Sequence, residues 1–338
     1  MTNKFFYLKL GRGNCLAEHW LKRDEAAIYF GKITTEKVRE LLDMPEEEAK
    51  EQFKQLTISR DQPKGNQDFK AVKDFITAGD NAGKIENWET KFITISRGIV
   101  YIYEPEDGVS DMSEDEYEEY DDDLSKRGIT AEKVRPEIEI ENIPKVMPVK
   151  NVKKYEVKDV PHVLASLPCN QHYSRGTCRK INDWGAIQAI KHCLKLQIDT
   201  PKNAHDLMGL LSSYELETLV FLILKNAGLF VPAWRGGTQK DIDIIARNLK
   251  TSTIFLPPVT FEPNKNVSFQ VKRKDVKKHS EIADWTVALR GDEDKNEILD
   301  ANWLLKSIKS QPDTKKWFLE SLAWVPNIRM QIENAKTL

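Results

Sequence analysis

The feature that most limits how this chain can fold is a long apolar helix that carries one acidic residue within its apolar run. Ser212 and Glu215 have the spacing of an N-terminal capping box, and the apolar run over residues 216–224 predicts a helix buried in a core. Glu217 lies within this run. A carboxylate in such surroundings is costly unless a cation or a metal ion lies beside it. The sequence therefore predicts a polar site next to this helix.

Two short strands are expected after this helix, over residues 241–246 and 267–272. Side chains alternate between the two faces of a strand, so Asp241 and Asp243 share one face of the first strand. The polar residues at the end of the second strand also share a face. If the strands are neighbours, four side chains can meet at one edge of the sheet, namely Glu217, Asp243, Gln270 and Lys272.

Residues 212–290 resemble the Mrr-type branch of the PD-(D/E)xK restriction endonuclease fold. The helix over residues 216–220 matches the first acidic helix of that family. Gly236-Gly237, followed by Asp241-Ile242-Asp243, matches its Gly-rich turn and catalytic aspartate, which falls on Asp243. Gln270-Val271-Lys272 matches the Gln-x-Lys form that this branch uses in place of Asp/Glu-x-Lys.

The resemblance implies metal-dependent hydrolysis of phosphodiester bonds. Asp243 is the expected principal ligand of Mg²⁺, for which Mn²⁺ can substitute, and the Gln270 side-chain oxygen and the Val271 carbonyl would complete the ligand set. Lys272 would position or help deprotonate the attacking water and stabilise the transition state. Glu217 would bind the metal through water or orient Lys272.

The chain departs from the Gly-Asp-x-Gly-x-Asp pattern of the family at residues 238–243, which read Thr-Gln-Lys-Asp-Ile-Asp. The role of Asp241 therefore stays open between a spare ligand, a partner of a ligand and a surface residue. A simpler interpretation of the whole set also remains open. In it the aspartates alternate on an edge strand and the lysines face solvent.

The first 103 residues alternate short strands with short helices, which favours a small β-barrel over a doubly wound sheet. The stretches 8–30, 78–100 and 146–181 resemble the PUA-like barrels, including the EVE group, that precede some modification-dependent restriction nucleases. In that family the barrel binds a modified base flipped out of the duplex, and aromatic faces stack on it. The candidates for these faces, each of which could instead be a core residue, are Trp20, Trp88, Tyr101, Tyr103 and Trp184.

An acidic segment offsets the net positive charge of the rest of the chain. Residues 104–123 contain twelve Asp or Glu and no Lys or Arg, and without them the formal net charge would be +10 instead of −2. The remainder is therefore basic enough to hold a polyanion. Residues 104–141 are expected to form a mobile insertion in the first domain, either as a solvated loop or as a mimic of nucleic acid that occupies a basic groove.

Two clusters of basic residues are candidate contacts to DNA phosphates, or else solvated surface: Arg175, Arg179, Lys274, Lys277 and Lys278. The cysteines and histidines over residues 169–193 do not have the spacing of a structural zinc site. No apolar run approaches the ~20 residues of a membrane span. Four cysteines do not make a disulfide framework, which favours a reducing cytoplasm.

These observations predict a two-domain chain of mixed α/β and α+β class. Residues 1–195 would form a PUA-like β-barrel with helices, and residues 196–338 a restriction-endonuclease-like α/β/α sandwich. The expected function is defence against foreign DNA through cleavage of modified double-stranded DNA, by a homodimer or a higher oligomer. The alternatives are a structure- or RNA-directed nuclease of the same fold and a non-catalytic nucleic-acid binding module.

Overall fold

The computed structural model describes residues 4–29, 33–56, 65–82, 84, 89–113, 115–116, 143–174, 176–234, 241–276, 280–290 and 297–335. The chain divides into two compact units. The first consists of Met1–Val160 and Ala165–Asn182, and the second of Pro161–Leu164 and Asp183–Leu338. The division therefore falls before the position near 195 that the sequence suggested, and the helix that begins at Trp184 belongs to the second unit.

The described residues form short strands and helices along the whole chain. In chain order these are β1 (Lys4–Leu8), α1 (Ala17–Lys22), β2 (Glu25–Tyr29), α2 (Thr35–Leu42), α3 (Glu46–Leu56), α4 (Gly65–Asp80), β3 (Thr90–Ser96), β4 (Ile99–Pro105), β5 (Ser110–Asp111), β6 (Pro144–Glu156), α5 (His162–Ala165), α6 (Gln171–Ser174), β7 (Cys178–Lys180), α7 (Trp184–Cys193), α8 (Ala204–Gly209), α9 (Ser213–Asn226), β8 (Phe230–Trp234), β9 (Ile244–Arg247), β10 (Ile254–Leu256), β11 (Val259–Phe261), β12 (Asn266–Lys272), β13 (Trp285–Ala288), β14 (Ile298–Leu299), α10 (Ala301–Ser310), α11 (Pro312–Ser321) and α12 (Ile328–Asn334).

A curled half-barrel sheet forms the first unit, with strand order β2-β6-β4-β3-β1-β7 and β5 paired with β6. The long strand β6 causes the curl, because its first half pairs with β2 and β5 and its second half pairs with β4. Helices α1 to α4 pack with the sheet around one core of aromatic and aliphatic side chains. The expectation of short strands mixed with helices is confirmed at this level of a mixed α/β unit.

The start of the acidic segment is part of this sheet, which corrects the expectation of an insertion from residue 104. Strand β4 continues to Pro105, and β5 ends at Asp111. The Asp111 carboxylate accepts hydrogen bonds from the amide and the hydroxyl of Thr35, and it lies 3.6 Å from the ammonium of Lys145, whose side chain is fully buried. Asp111 can be part of the folded sheet because its carboxylate pairs with Lys145 and with the backbone amide of Thr35. Residues 117–141, on which the mimic hypothesis depends, lie outside the described part of the chain.

A second sheet organises the second unit, with order β14-β13-β12-β9-β8. Strand β9 is antiparallel to both β8 and β12, whereas β13 is parallel to both β12 and β14. Helix α9 packs against β8, β9 and β12, and α10 packs against α8, α11 and β14. Phe269 and Ile244 from the strands and Leu219 and Ile223 from α9 share one hydrophobic core.

Helix α9 begins at the capping box that its sequence predicts. The Glu215 amide donates to the Ser212 hydroxyl, and the Ser212 amide donates to the Glu215 carboxylate at 2.7 Å. His162 joins this cap, with its Nδ1 atom 2.8 Å from the Ser212 hydroxyl. Although α9 is strongly apolar, neither it nor any other helix in the described ranges has the length and apolarity needed to cross a membrane.

We expect the capping box to make stability depend on pH. Burial alone would raise the pKa of the Glu215 carboxyl, but hydrogen bonds from His162 and Ser212 outweigh it and lower that pKa below its ordinary value. A lowered folded-state pKa means that this carboxylate stabilises the fold above about pH 5 and loses its contribution as the pH falls through the folded pKa. Glu215→Gln should therefore reduce the free energy of unfolding by about 1 kcal/mol at neutral pH and by less in acid.

Denaturant unfolding of both proteins between pH 3 and pH 7 measures this difference. Glu320→Gln, which changes an exposed glutamate on α11, is the matched control and should show no such trend. A constant difference between Glu215→Gln and the unsubstituted protein across this pH range would contradict the assignment.

Candidate functional site

The two aspartates and Gln270 meet where β9 begins and β12 ends. The Asp243 amide donates to the Phe269 carbonyl at 2.9 Å, which extends the β9–β12 pairing by one residue. The Val271 amide donates to the Asp243 carboxylate at 2.7 Å, and the Gln270 side-chain amide donates to the Asp241 carboxylate at 2.8 Å. Two carboxylates, one carboxamide and one strand backbone therefore come together at this point.

The position of Asp241 differs from the prediction. Strand β9 begins at Ile244 rather than at residue 241, so the two aspartates do not share a strand face. Asp241 has a φ of 70°, in the left-handed region that glycine occupies without strain and that aspartate tolerates better than most residues. A carboxylate thus stands on a left-handed turn, where it contacts Gln270.

Lys272 and Glu217 lie on the elements that flank this group. Lys272 follows Gln270 by two residues on β12, so the two side chains share a strand face, and Lys272 is half-buried. To other described residues the Lys272 ammonium makes no hydrogen bond or ion pair. Glu217 is half-buried on α9, between the buried Leu216 and the half-buried Thr218. The predicted Gly236-Gly237 turn lies outside the described residues.

The donor atoms at this site suit a hard cation. No group of three or more His, Cys, Asp or Glu within the described ranges is arranged to hold a metal ion. However, Mg²⁺ in proteins is usually bound through one or two carboxylates, keeps several waters and takes the remaining oxygens from substrate phosphates. Asp243, Asp241 and the Gln270 carboxamide offer oxygen atoms of this kind, so the residues present fit Mg²⁺. For Val271 the observed contact is its amide on Asp243.

Arg273 is a structural residue, although it lies beside Lys274, a candidate phosphate contact. Its guanidinium forms a two-pronged ion pair with Asp183 and donates to the carbonyls of Gly209 and Leu211. Its side chain and that of Asp183 are only 11% and 15% exposed. Asp183 is also the N-cap of α7, because its carboxylate accepts the Ala186 amide. Arg273, which directly follows Lys272, thus connects the end of β12 to the start of α7 and to the loop before α9.

Close backbone packing surrounds this ion pair. A Cβ atom at Gly185 would lie 2.1 Å from the Gly209 carbonyl oxygen and 2.9 Å from a guanidinium nitrogen of Arg273. Glycine is therefore required for α7 to approach this loop. The sequence alone gave one signal for the arrangement, namely an aspartate in the N-cap position before α7.

The aromatic candidates for base stacking are mostly core residues. Trp20, Tyr101 and Tyr103 are buried in the core of the first unit, and the Tyr103 hydroxyl lies 2.9 Å from the Thr94 hydroxyl. Trp184 is half-buried against the core of the second unit, so it does not belong to the half-barrel. Trp88 lies outside the described residues. All four aromatic candidates among the described residues are therefore packed in or against a hydrophobic core.

The candidate phosphate contacts differ in their surroundings. Lys274 is exposed next to the site, and Arg179 is half-buried on β7 of the first unit. Arg175, Lys277 and Lys278 lie outside the described residues. Two of the five candidates are therefore open to structural description, one in each unit.

Removal of the Arg273 guanidinium should destabilise the second unit strongly. Arg273→Ala leaves the Asp183 carboxylate buried without its cation, and breaking a buried pair in this way costs about 3–5 kcal/mol. The free energy of unfolding from denaturant titration measures the loss. Lys274→Ala, at the exposed neighbouring position, should change it by no more than about 0.5 kcal/mol. Equal effects of the two substitutions would show that Arg273 does not hold this region together.

No protein-family model matches the chain, and no curated protein or solved structure gives a significant match. The case for a function therefore depends on the side chains at the junction of β9 and β12.

Proposed function

We propose that this protein is a metal-dependent endonuclease that hydrolyses phosphodiester bonds in double-stranded DNA. One observation carries the proposal. Where two paired strands meet, the Asp243 carboxylate accepts the Val271 amide and the Asp241 carboxylate accepts the Gln270 side-chain amide, and Lys272 follows Gln270 on the same face of β12. A carboxylate, a carboxamide and a cation at one sheet edge provide both metal ligands and a donor to a phosphate.

Each residue has a separate task in this proposal. Asp243 is the main metal ligand, and the Val271 amide holds its carboxylate in one orientation. When bound, Mg²⁺ supplies positive charge to the phosphate oxygens and makes a water easier to deprotonate. Lys272 donates hydrogen bonds to the phosphate or to the attacking water, where negative charge develops. Glu217 acts from α9, through Lys272 or through a water molecule.

Asp241 compensates for the neutral residue in the Gln-x-Lys sequence. Its carboxylate accepts the Gln270 side-chain NH₂ group at 2.8 Å, which leaves the Gln270 oxygen to face away from Asp241 and toward a ligand. Asp241 also supplies the negative charge that an aspartate or glutamate at position 270 would carry and that glutamine lacks. Asp241 is therefore a positioning residue, whereas Gln270 would contact the metal beside Asp243.

The first unit would choose the substrate. Its curled sheet with flanking helices supports a PUA-like barrel that reads a modified base, and the second sheet supports a restriction-endonuclease-like domain. Because Trp20, Tyr101 and Tyr103 are core residues, the base would stack on other side chains. Cleavage of both strands calls for two sites, which favours a homodimer. The four cysteines are free thiols, as expected for defence against foreign DNA in a reducing cytoplasm.

The proposal is tested by cleavage of DNA panels that carry different cytosine and adenine modifications, in the presence of Mg²⁺. Asp243→Ala and Lys272→Ala should each lower the cleavage rate by about 10²–10³-fold, because each removes a group that stabilises developing charge. Lys316→Ala is the matched control, since it removes an exposed lysine on α11 that has no role in the proposed site. If wild-type protein cuts none of the DNAs and Asp243→Ala behaves identically, the proposal is wrong.

A non-catalytic nucleic-acid binding module is the second candidate. The observation that favours it is the lack of a group of three acidic, His or Cys ligands within the described part of the chain. Such a module would bind DNA with the same affinity in EDTA and in Mg²⁺ and would cut nothing. Cleavage of branched DNA or of RNA, with intact modified duplex, would instead identify a structure- or RNA-directed nuclease.

The role of Asp241 predicts coupling to residue 270 in metal binding. Asp241→Gly keeps the left-handed turn but releases the Gln270 side chain, and it should weaken Mn²⁺ binding by about 10-fold, as loss of a partner of a ligand does. Asp241→Asn keeps a hydrogen-bond acceptor and should retain part of the affinity. Gln270→Glu should restore binding in the Asp241→Gly background. Calorimetric titration with Mn²⁺, which does not rely on cleavage, compares these variants with the wild type and with Gln270→Glu alone, which completes the double-mutant cycle.

Additive effects in this double-mutant cycle would contradict the positioning role. Metal binding that is unchanged in Asp241→Gly would do the same. Neither result would affect the test of Asp243 and Lys272.

A further inference from the structure

A group of cationic side chains gathers on α4 and β7 of the first unit. Helix α4 packs against β7, which brings two lysines of the helix close to two basic residues of the strand. All four interact electrostatically with the Asp74 carboxylate on α4, and two of them interact with the imidazole on α6. We call this group the basic patch, and its members are Lys70, Lys73, His172, Arg179 and Lys180.

The charges of the basic patch are poorly neutralised. Lys70, Lys73 and Lys180 form no ion pair with any residue that the structure describes. Asp74 is one carboxylate among four cations, and its pKa is raised by burial, which those cations oppose. Glu46 also interacts with Lys70 and Lys73, but it forms its ion pair with Lys50. Most of the other lysines that the structure describes in this unit have an acidic partner, and these include Lys22, Lys37, Lys50, Lys84, Lys91 and Lys150.

Local packing holds Arg179 in place. A Cβ atom at Gly176 would lie 2.0 Å from its Nε atom and 2.6 Å from its Cγ atom, so the arginine side chain lies directly over the glycine. A side chain that is already ordered loses less conformational entropy when a ligand binds. Burial, together with the charges of Arg179 and Lys70, lowers the pKa of His172. His172 therefore meets a ligand as a neutral hydrogen-bonding group at neutral pH.

We propose that the basic patch binds the phosphate backbone of double-stranded DNA. The proposal rests on the proposed DNA cleavage for its choice of polyanion. Several cations spread over a helix and a neighbouring strand match a row of phosphates better than one small anion, which would need convergent donors. Phosphate contacts fix the orientation of a protein on the duplex without reading its sequence. The patch would thus hold any duplex against the first unit while the modified base is read.

Binding to a short unmodified duplex in EDTA, where cleavage is absent, tests the proposal at several salt concentrations. The triple variant Lys70→Gln, Lys73→Gln and Lys180→Gln should bind at least about 10-fold more weakly at low salt. The slope of log K against log salt should fall by about 0.9 for each phosphate contact that is lost. The control is Lys22→Gln, Lys37→Gln and Lys84→Gln, which removes the same charge from ion-paired positions of the same unit. It should leave the slope unchanged.

Equal slopes and affinities for wild type and the patch variant would overturn the proposal. It would also be overturned if the variant lost affinity for RNA or for anionic lipid vesicles but kept its affinity for duplex DNA. Cleavage in Mg²⁺ separates this result from the proposed function. If wild type cuts DNA while the patch variant binds normally, only the patch assignment fails. If wild type cuts nothing, the nuclease proposal fails and the duplex-binding comparison still decides the patch.

Discussion

The buried ion pair between Arg273 and Asp183 sets the geometry around the candidate site. It lies one residue beyond Lys272 and ties the end of β12 to the start of α7 and to the loop that precedes α9. Burying two charges is favourable only when their hydrogen bonds are satisfied, and here the guanidinium also reaches two backbone carbonyls. Because Arg273 directly follows the last residue of β12, holding its guanidinium in place also holds the backbone next to Lys272.

The same strand explains why a neutral residue can occupy position 270. Gln270 is only 6% exposed, and a lone carboxylate buried there would be costly without a partner. Glutamine avoids that cost, and Asp241 supplies the charge from a turn that is only half-buried. The negative charge is thus placed nearer to solvent, where it is cheaper to maintain before a cation binds. The proposed metal ligand, Gln270, and the negative charge, on Asp241, therefore belong to different residues.

Patterns along the chain predicted regular elements well and departures from regularity poorly. The capping box predicted the start of α9, and the strand predicted over residues 267–272 differs from β12 by one residue. The start of β9 was placed three residues too early, because alternation of side chains cannot reveal the left-handed backbone at Asp241. The pairing of Asp111 with Lys145 and that of Arg273 with Asp183 join residues distant in sequence. Patterns within a short stretch of sequence cannot reveal either pair.

Pairing also decides how the charge of this protein should be interpreted. A net charge of −2 would suggest little attraction to a polyanion, yet the acidic residues are not spread evenly over the surface. At the start of the acidic segment, Glu104 and Asp111 form ion pairs with Lys91 and Lys145 inside the first unit. Because Lys91 and Lys145 neutralise these two carboxylates, Glu104 and Asp111 do not neutralise the lysines on α4 or β7. At physiological salt, exposed charges interact over only ~8 Å, so a cluster whose cations outnumber the nearby carboxylates acts as a positive surface whatever the sum for the whole chain.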